Sequence, residues 1–402
     1  MSDDHDIHEL DSFSLQFPLP YRVGFIIAAG IWGWGINLHL LHRYKIDVPA
    51  LIRYPPRTST NQAPHHVSAY RLAALITFFF CFSLVTFWIF TGGSAAHVVS
   101  YDWLPVSFLA SLCVLFLAPL RNFIHGGRSR FLATLRRISL GGLAETKDGK
   151  FGDIILADAL TSYAKVIADL YVVVCMFFTP GSSATGPPNR TCGGNLVPLI
   201  VAIPSVIRLR QCLIEYLRVR KSPFNPAVGW GGQHLANALK YFTAFPVIIF
   251  GTLMSRLPPD QPDYSLNRAW VIASLVQSLY SFYWDVAKDW DLTLFSSAKE
   301  RLSAEYPAGL RWRTVFEPWT YYSVIALDLV LRLTWIFRLG PGLTRLPDAE
   351  KTVFILHFLE VFRRWIWIFF RVETEWVRST STGLGLDDIL LGDYDGKHED
   401  ED

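Results

Sequence analysis

The sequence predicts an all-α polytopic membrane protein, and three observations support this fold class. Of the 402 residues, 51% are hydrophobic, 15% are aromatic and only 18% are charged. Soluble domains carry about 25% charged residues, and the mean hydropathy here is positive, at +0.26. Apolar segments close to the roughly 20 residues that cross a bilayer recur along the chain. The alternative, a large soluble helical protein, would need shorter apolar segments and more charge.

Nine apolar segments are long enough to predict membrane helices. Several contain Pro or Gly, which membrane helices tolerate when neighbouring helices satisfy the freed backbone groups. Three peripheral helices are expected within residues 21–120, and six more within residues 153–376. The nine segments lie at about 21–41, 70–90, 103–120, 154–178, 196–216, 235–254, 269–284, 319–337 and 352–370.

The segments outside these helices differ in charge. Residues 1–20 are acidic, so the first helix does not follow the basic stretch expected of a cleavable signal peptide. Residues 121–152 form a basic loop, and residues 377–402 form an acidic tail that is expected to be disordered. Five scattered cysteines lack a CxxC pair and metal-ligand spacing, which argues against a disulfide scaffold and a zinc module.

The distribution of Lys and Arg predicts the orientation in the membrane. Alternate loops, at 42–69, 121–152, 217–233 and 285–317, hold 19 basic residues, whereas the opposite loops hold 6. By the positive-inside rule the first set is cytosolic, so with nine helices the N-terminus is lumenal and the C-terminus is cytosolic. The N-x-[ST] sequon at Asn189 lies in a loop of the lumenal set, which predicts a glycosylation site.

Charged residues inside the apolar segments are the strongest functional signal. A charge at the centre of a membrane helix costs about 2.5 to 3.5 kcal/mol, so each one needs a partner or a use. Interhelical ion pairs that fix packing are one interpretation. An oxyanion site is the other, because several Arg on different helices suit a multivalent anion, which their planar forks bind bidentately. The cations concerned are Arg208, Lys240, Arg332, Arg363 and Arg364.

Polar residues near these cations follow helical spacing. Positions 158, 161, 162, 165 and 169 place a polar stripe on one face of the fourth helix, which we expect to face protein or water. Asp328, Arg332 and Trp335 are predicted to share a face of the eighth helix. The net charge of +2 shows no excess that would indicate a nucleic-acid partner.

Six spaced motifs resemble the EXS domain, which eukaryotic phosphate exporters share with the fungal ER-retention-defective proteins. The resemblance covers about residues 104–376 and is strongest in the single motif at 359–375, which contains LEVFRRW and FFRVETE. The other motifs, in order, are ADALTS at 157–162, IPSVIRLRQCL at 203–213, NALKY at 237–241, WDVAKDW at 284–290 and DLVLRLTW at 328–335.

The resemblance implies a six-helix core around a phosphate path and assigns roles to matching residues. The five cations would bind phosphate oxygens, Tyr241 would donate a hydrogen bond, and Trp335 would form a gate wall. Asp158 and Asp285 would support the cations. The full set of expected substrate-binding residues is Asp158, Thr161, Ser162, Arg208, Gln211, Lys240, Tyr241, Asp285, Asp289, Arg332, Trp335, Arg363 and Arg364.

The chain departs from the exporters in two ways. Thr161 stands where the exporters commonly have Asn. Only about twenty residues precede the first segment, so we expect neither the cytosolic SPX domain nor its regulation by inositol pyrophosphates. The short form resembles the fungal proteins, which implies residence in the Golgi membrane.

The first hypothesis is therefore a Golgi phosphate transporter that returns lumenal phosphate, a by-product of glycosylation, to the cytosol. It needs no cofactor and no covalent chemistry, so we do not expect an enzyme. The alternative is a sorting scaffold that retains Golgi enzymes by recruiting a cytosolic coat or sorting adaptor. A third hypothesis, a glycosyl- or acyltransferase that uses the DxD match at Asp289 and Asp291, lacks a nucleotide-binding domain.

Overall fold

A computed structural model describes most of the chain, and the described residues form helices and loops without a β-strand. The helices cover the apolar segments that the sequence singles out, so the all-α fold class is confirmed. The described ranges are 10–54, 64–117, 127–145, 148–194, 196–222, 229–258, 263–304, 306–339 and 349–382.

The longer helices are numbered here in chain order. They are α1 (Leu19–Arg43), α2 (His65–Thr91), α3 (Trp103–Leu117), α4 (Gly127–Leu140), α5 (Lys150–Phe178), α6 (Leu196–Lys221), α7 (Gly232–Phe242), α8 (Ala244–Ser255), α9 (Tyr264–Trp284), α10 (Pro318–Arg332) and α11 (Ala349–Thr382). Shorter helical segments are Ser12–Gln16, Val48–Leu51, Ala95–Ser100, Asp285–Asp289, Ala298–Arg301, Pro307–Gly309 and Thr334–Leu339.

Within the described ranges, seven helical segments are long and apolar enough to cross a membrane. They are α1, α2, Ala95–Leu117, α5, α6, Gly232–Ser255 and Pro318–Phe337. The chain is therefore a multi-pass membrane protein, but the count of nine is not confirmed, because α9 and α11 do not meet the same measure. Both are long enough to cross. Polar and charged residues lower the hydropathy of both helices, and in α11, which packs against several helices, such residues can face protein.

Helix α11 lies at the centre of the bundle and packs against α1, α5 and α10. Trp367 on α11 is buried with Leu41, Val286 and Tyr321 in one apolar core. A second core joins α1, α2, α3 and α5 nearer the start of α1. Helix α1 contributes to both cores, so it lines the bundle along its whole length.

Glycines let α1 approach the two helices that carry most of the polar residues. A Cβ atom at Gly33 would lie 2.8 Å from the ring of Trp365 on α11. A Cβ atom at Gly30 would lie 1.7 Å from the hydroxyl of Tyr163 on α5. Small residues permit such close helix packing in membranes, so these positions set the spacing of α1, α5 and α11.

Two segments outside the bundle differ from the sequence-based expectation. The predicted basic loop at 121–152 contains α4, an amphipathic helix with four Arg and no acidic residue. Arg137 of α4 forms an ion pair with Asp153 at the start of α5, which fixes α4 against the bundle. The last helix continues to Thr382, twelve residues beyond the predicted segment at 352–370, so it includes the first residues of the predicted tail at 377–402. The acidic residues at 1–9 and the tail at 383–402 lie outside the described residues.

The span Gly232–Ser255 is interrupted at Thr243, between α7 and α8. Pro246 has no amide hydrogen to donate to the carbonyl of Phe242, and the interruption places Pro246 in the first turn of α8, where proline is tolerated. The Thr243 hydroxyl donates to the carbonyl of Lys240 at 2.7 Å. Lys240 and Tyr241 therefore lie at the end of a half-helix inside the bundle.

Candidate functional site

Buried charges from five elements meet in the middle of the bundle and surround Asp285. This carboxylate has no exposed surface. Its oxygens lie 2.9 Å from Lys240 Nζ and 3.5 Å from Arg363 Nη1, and they also accept a hydrogen bond from Arg332. Three cations on three helices therefore share one carboxylate.

A π-helical turn at the end of α9 brings a second carboxylate to the same place. The turn spans Asp285–Asp289 and directs both of these side chains toward α7. Asp289 Oδ2 lies 3.1 Å from Lys240 Nζ, so the ammonium group bridges the two aspartates. Single π turns are often found at functional sites.

Asp158 on α5 forms the second centre of the cluster. Its Oδ1 accepts a hydrogen bond from Arg208 Nε at 2.9 Å and from the Tyr241 hydroxyl at 2.5 Å. The guanidinium of Arg208 lies over the Tyr241 ring, 4.8 Å from its centroid, and Arg208 Nη1 donates to Gln211 Oε1 at 2.6 Å. The Tyr241 hydrogen, which the resemblance assigns to phosphate, is thus directed at Asp158.

Asp328 and Glu360 join the cluster as further carboxylates. Asp328 accepts from Arg332 Nε at 2.9 Å and from Arg363 Nη1 at 3.2 Å. Glu360 Oε1 accepts from Arg363 Nη2 at 2.6 Å and from the Ser162 hydroxyl at 2.9 Å. Neither residue is in the expected binding set, although each lies one helical turn from an arginine that is.

Arg364 differs from the other cations because its hydrogen-bond partners carry no charge. Its Nε donates to the Ser162 hydroxyl at 3.0 Å and its Nη2 to the Thr161 hydroxyl at 3.2 Å. Among the described residues, no carboxylate lies within ion-pair distance of Arg364 and no acceptor satisfies its buried Nη1. Gln211 Nε2 is a second buried donor without an acceptor in the described part of the chain.

The central charge cluster is defined here as Asp158, Thr161, Ser162, Arg208, Gln211, Lys240, Tyr241, Asp285, Asp289, Asp328, Arg332, Glu360, Arg363 and Arg364. It contains five cations and five carboxylates, so its formal charge is zero rather than positive. A gap too narrow to hold a water molecule borders it at Asp328 and Arg363. An incoming oxyanion would therefore find the unpaired donors of Arg364 and Gln211 and would exchange with carboxylates at the remaining cations.

Trp335 lies at the edge of the cluster rather than on the expected helical face. Helix α10 ends at Arg332, and Trp335 belongs to the following 3-10 segment Thr334–Leu339. Its indole donates to the Ser278 hydroxyl at 3.0 Å, and its ring packs edge-on against Trp270 at 5.7 Å.

Along the polar stripe on α5, Asp158, Ser162 and Asp169 are buried, whereas Lys165 is exposed.

The loop that carries Asn189 is fixed by a disulfide between Cys175 and Cys192. Asn189 is exposed, and the Thr191 hydroxyl donates to Asn189 Oδ1 at 2.6 Å. The cysteine spacing in the sequence does not indicate this pair, because Cys175 lies near the end of an apolar helix and Cys192 in a loop.

A second group of charges, three of them buried and two half-buried, lies at the disulfide end of the bundle. It joins Arg22 of α1, Asp169 of α5, Arg190 of the loop, and Glu350 and His357 of α11. We call these five residues the outer cluster. Of these five residues, only Asp169 belongs to the polar stripe that the sequence predicts. The one sign of the other four in the sequence is Arg22, a charge inside the first apolar segment.

The central charge cluster coincides with the motifs of a known family. The EXS family model matches residues 17–377. Protein ERD1 homolog 1 of Schizosaccharomyces pombe is 33% identical over 376 residues, covering 92% of this chain and 93% of that protein. Protein ERD1 of Kluyveromyces lactis is 28% identical over 399 residues, covering 94% of this chain and 99% of that protein.

More distant similarity extends to larger proteins. Human solute carrier family 53 member 1 is 25% identical over 391 residues, which cover 92% of this chain but 52% of that protein. SPX and EXS domain-containing protein 1 of Dictyostelium discoideum is 26% identical over 374 residues, with 37% of its length covered. The match along most of the chain confirms the resemblance seen in the motifs: this multi-pass membrane protein belongs to the EXS family.

Proposed function

We propose that this protein transports inorganic phosphate across the Golgi membrane, from the lumen to the cytosol, without covalent chemistry. One observation carries the proposal: five cations on four helices converge inside the bundle, and two buried donors among them lack a protein acceptor. These donors are Arg364 Nη1 and Gln211 Nε2. Buried donors are satisfied in nearly all protein interiors, so a ligand is the physical reason to retain them.

The charge balance of the cluster suits passage rather than permanent binding. Conduction requires a site that attracts an ion strongly enough to strip its water, yet weakly enough to release it. Five cations alone would hold phosphate tightly, whereas the five carboxylates compete with it for four of them. Arg364 offers the one guanidinium in the described residues of the cluster that an anion meets without displacing a carboxylate.

The choice of the Golgi membrane and the direction of transport rest on separate observations. The excess of Lys and Arg in alternate loops places the loop at 179–195 on the lumenal side. The disulfide in that loop favours an oxidising compartment such as the secretory pathway. The name of the human relative, a solute carrier, supports transport as the activity. The proposed partners are phosphate, the bilayer and, for the scaffold alternative below, a cytosolic adaptor.

The test is uptake of radiolabelled phosphate by liposomes that contain the purified protein. The Arg364→Gln variant removes the charge without leaving a carboxylate unpaired, so we expect normal folding and at least about a tenfold loss of flux. A charge-assisted hydrogen bond contributes about 1.5 to 3 kcal/mol, and about 1.4 kcal/mol corresponds to a factor of ten. Arg220→Gln, an exposed position on α6, is the control. Unchanged flux in Arg364→Gln would refute the assignment.

The sorting scaffold remains the second candidate, and one observation favours it. Arg208, Lys240, Arg332 and Arg363 each have a carboxylate partner within 3.2 Å, as expected of charges that only fix helix packing. A scaffold predicts no phosphate flux in liposomes and normal retention of Golgi enzymes in cells that carry Arg364→Gln. A transporter predicts flux that this substitution abolishes.

A further inference from the structure

The outer cluster contains two guanidinium groups that meet on one carboxylate. Arg22 Nη1 lies 2.7 Å from Glu350 Oε2. Arg190 forms a fork on the same group, with Nη1 at 2.8 Å from Oε1 and Nη2 at 3.1 Å from Oε2. Three donors from two arginines therefore surround a planar oxyanion, which is the arrangement by which arginines also bind phosphate.

The two arginines are held in place from opposite sides. Arg22 is 3% exposed, and its Nε and Nη2 donate to the Phe17 carbonyl at 2.8 Å and the Ser14 hydroxyl at 2.6 Å. Arg190 lies two residues before Cys192, whose disulfide to Cys175 joins the loop to the end of α5. Arg22 would thus keep its position if the carboxylate moved, and Arg190 would keep its fixed backbone and its ion pair with Asp169, at 3.9 Å.

Glu350 is the carboxylate that an incoming anion would have to replace. It is the second residue of α11 and its side chain is 19% exposed, so solvent reaches it at the end of the helix. A cavity of about 10 Å³, room for about one water molecule, adjoins the carboxylate and is bordered by Arg22, Asp169, Arg190 and His357. A small anion can therefore bind beside the two arginines only where the Glu350 carboxylate moves away.

The outer cluster and the central charge cluster lie at successive positions along α11. Along α11, His357 and Glu360 follow Glu350 at seven and ten residues, so Glu360 lies about 15 Å further along the helix axis. The Glu360 side chain is 38% exposed, whereas Asp285 and Arg363 are at most 3% exposed. The central charge cluster is therefore open on the side of Glu360, where exposed Lys165 also lies.

We propose that the outer cluster is a second oxyanion site, at which phosphate exchanges with the Glu350 carboxylate for Arg22 and Arg190 before it moves to the central charge cluster. This inference rests on the proposed function for the second step, but binding at the outer cluster does not. Glu350 closes the site when phosphate is absent and competes with it when phosphate is present. Asp169 and His357, whose atoms Oδ2 and Nδ1 lie 3.1 Å apart, border the exit toward Glu360.

The exchange makes an unusual prediction for Glu350→Gln. This substitution keeps the size of the side chain and removes the competing charge, so phosphate should bind more tightly at the outer cluster. We expect the half-saturating phosphate concentration on the disulfide side to fall about three- to tenfold in liposomes. Arg190→Gln should raise it by a similar factor. If Glu350 only joins the helices, Glu350→Gln will instead leave half-saturation unchanged or raise it, and either result overturns the inference.

A binding measurement separates this inference from the transport proposal. The protein is heated in detergent with inorganic phosphate or with chloride at matched ionic strength, in the background of Arg364→Gln to weaken the central site. Glu350→Gln should then gain more thermal stabilisation from phosphate than the parent, and Arg190→Gln should gain none. This result would stand even if no variant carried flux. Equal phosphate responses in Glu350→Gln and Arg190→Gln would refute the outer site.

Discussion

Asp285 holds the central charge cluster together because three cations depend on it. Lys240, Arg332 and Arg363 lie on α7, α10 and α11, and each contacts this carboxylate. Each cation also contacts a second carboxylate, but without Asp285 the buried cluster would hold five cations and four carboxylates, and an uncompensated buried charge typically costs 3–5 kcal/mol. The residue is therefore as much a condition for folding as for binding.

Asp285→Asn should lower the free energy of unfolding by about 3 kcal/mol or more, since it removes an ion-pair contact from three buried cations and leaves the cluster with one uncompensated positive charge. The measurement is thermal unfolding of the purified protein in detergent. Asp289→Asn is the matched control, because Asp289 contacts Lys240 at 3.1 Å and Arg371 only at 4.0 Å. Equal melting temperatures for the two variants would contradict the central position of Asp285.

Arg364 contrasts with Asp285, because among the described residues it forms no ion pair. Its contacts in the described structure are two hydroxyl groups and the face of Trp367, 4.5 Å from the ring centroid. Arg364→Lys should keep the charge and the stability but lose the planar fork that binds an oxyanion through two bonds. We expect a higher half-saturating phosphate concentration than in the parent, measured by liposome uptake. Unaltered half-saturation would mean that this fork does not contact phosphate.

At the scale of elements, interruptions in helices position the site. The break at Thr243 ends α7 directly after Lys240 and Tyr241, and the π turn begins directly after α9. Transporters commonly build binding sites from such discontinuous membrane helices. In this protein the two interruptions face each other, since Lys240 on one contacts Asp285 and Asp289 on the other.

Pro246→Ala tests whether the break matters. Alanine restores the amide that can bond the Phe242 carbonyl, so α7 and α8 should approach one continuous helix. We expect an equal or higher melting temperature together with reduced phosphate flux, because Lys240 would rotate away from the two aspartates. Pro318→Ala, at the first residue of α10, is the control, as proline there interrupts nothing. Full flux in Pro246→Ala would show that the break is not required.

The disulfide is the second element-scale feature that can be tested. Cys175 and Cys192 are 17 residues apart, and closing a loop of this size contributes about 3 kcal/mol. Cys192→Ser should therefore lower the melting temperature, and reducing agent should do the same to the parent but not to the variant. Cys113→Ser, which removes an exposed free thiol, serves as the control. No effect of reduction on the parent would argue against the pairing.

At the scale of the whole molecule, the prediction concerns orientation. The lumenal assignment of the loop at 179–195 predicts that Asn189, which is exposed, receives a glycan. Asn189→Gln should increase gel mobility to the same extent as treatment of the parent with an endoglycosidase. A C-terminal epitope should remain accessible to protease added to intact Golgi vesicles. Protection of that epitope would reverse the proposed topology.

The sequence by itself determined the fold class, the family and the cations of the site. Apolar length and helical spacing depend on local sequence, and the motif at 359–375 carries the family signal. The sequence also predicted that Asp328 and Arg332 lie together, because side chains four residues apart share a helix face.

Only the tertiary structure decided which charges meet. Asp285 and Lys240 are 45 residues apart, and Arg22 and Glu350 are 328 apart, so no local pattern could pair them. Interhelical packing also decided that Arg364 is the cation that contacts hydroxyl groups instead of a carboxylate. The pairing of Cys175 with Cys192 was fixed in the same way, by the path of a loop folded back over α5. Contacts across helices depend on how the helices pack, and a single sequence records that packing only indirectly.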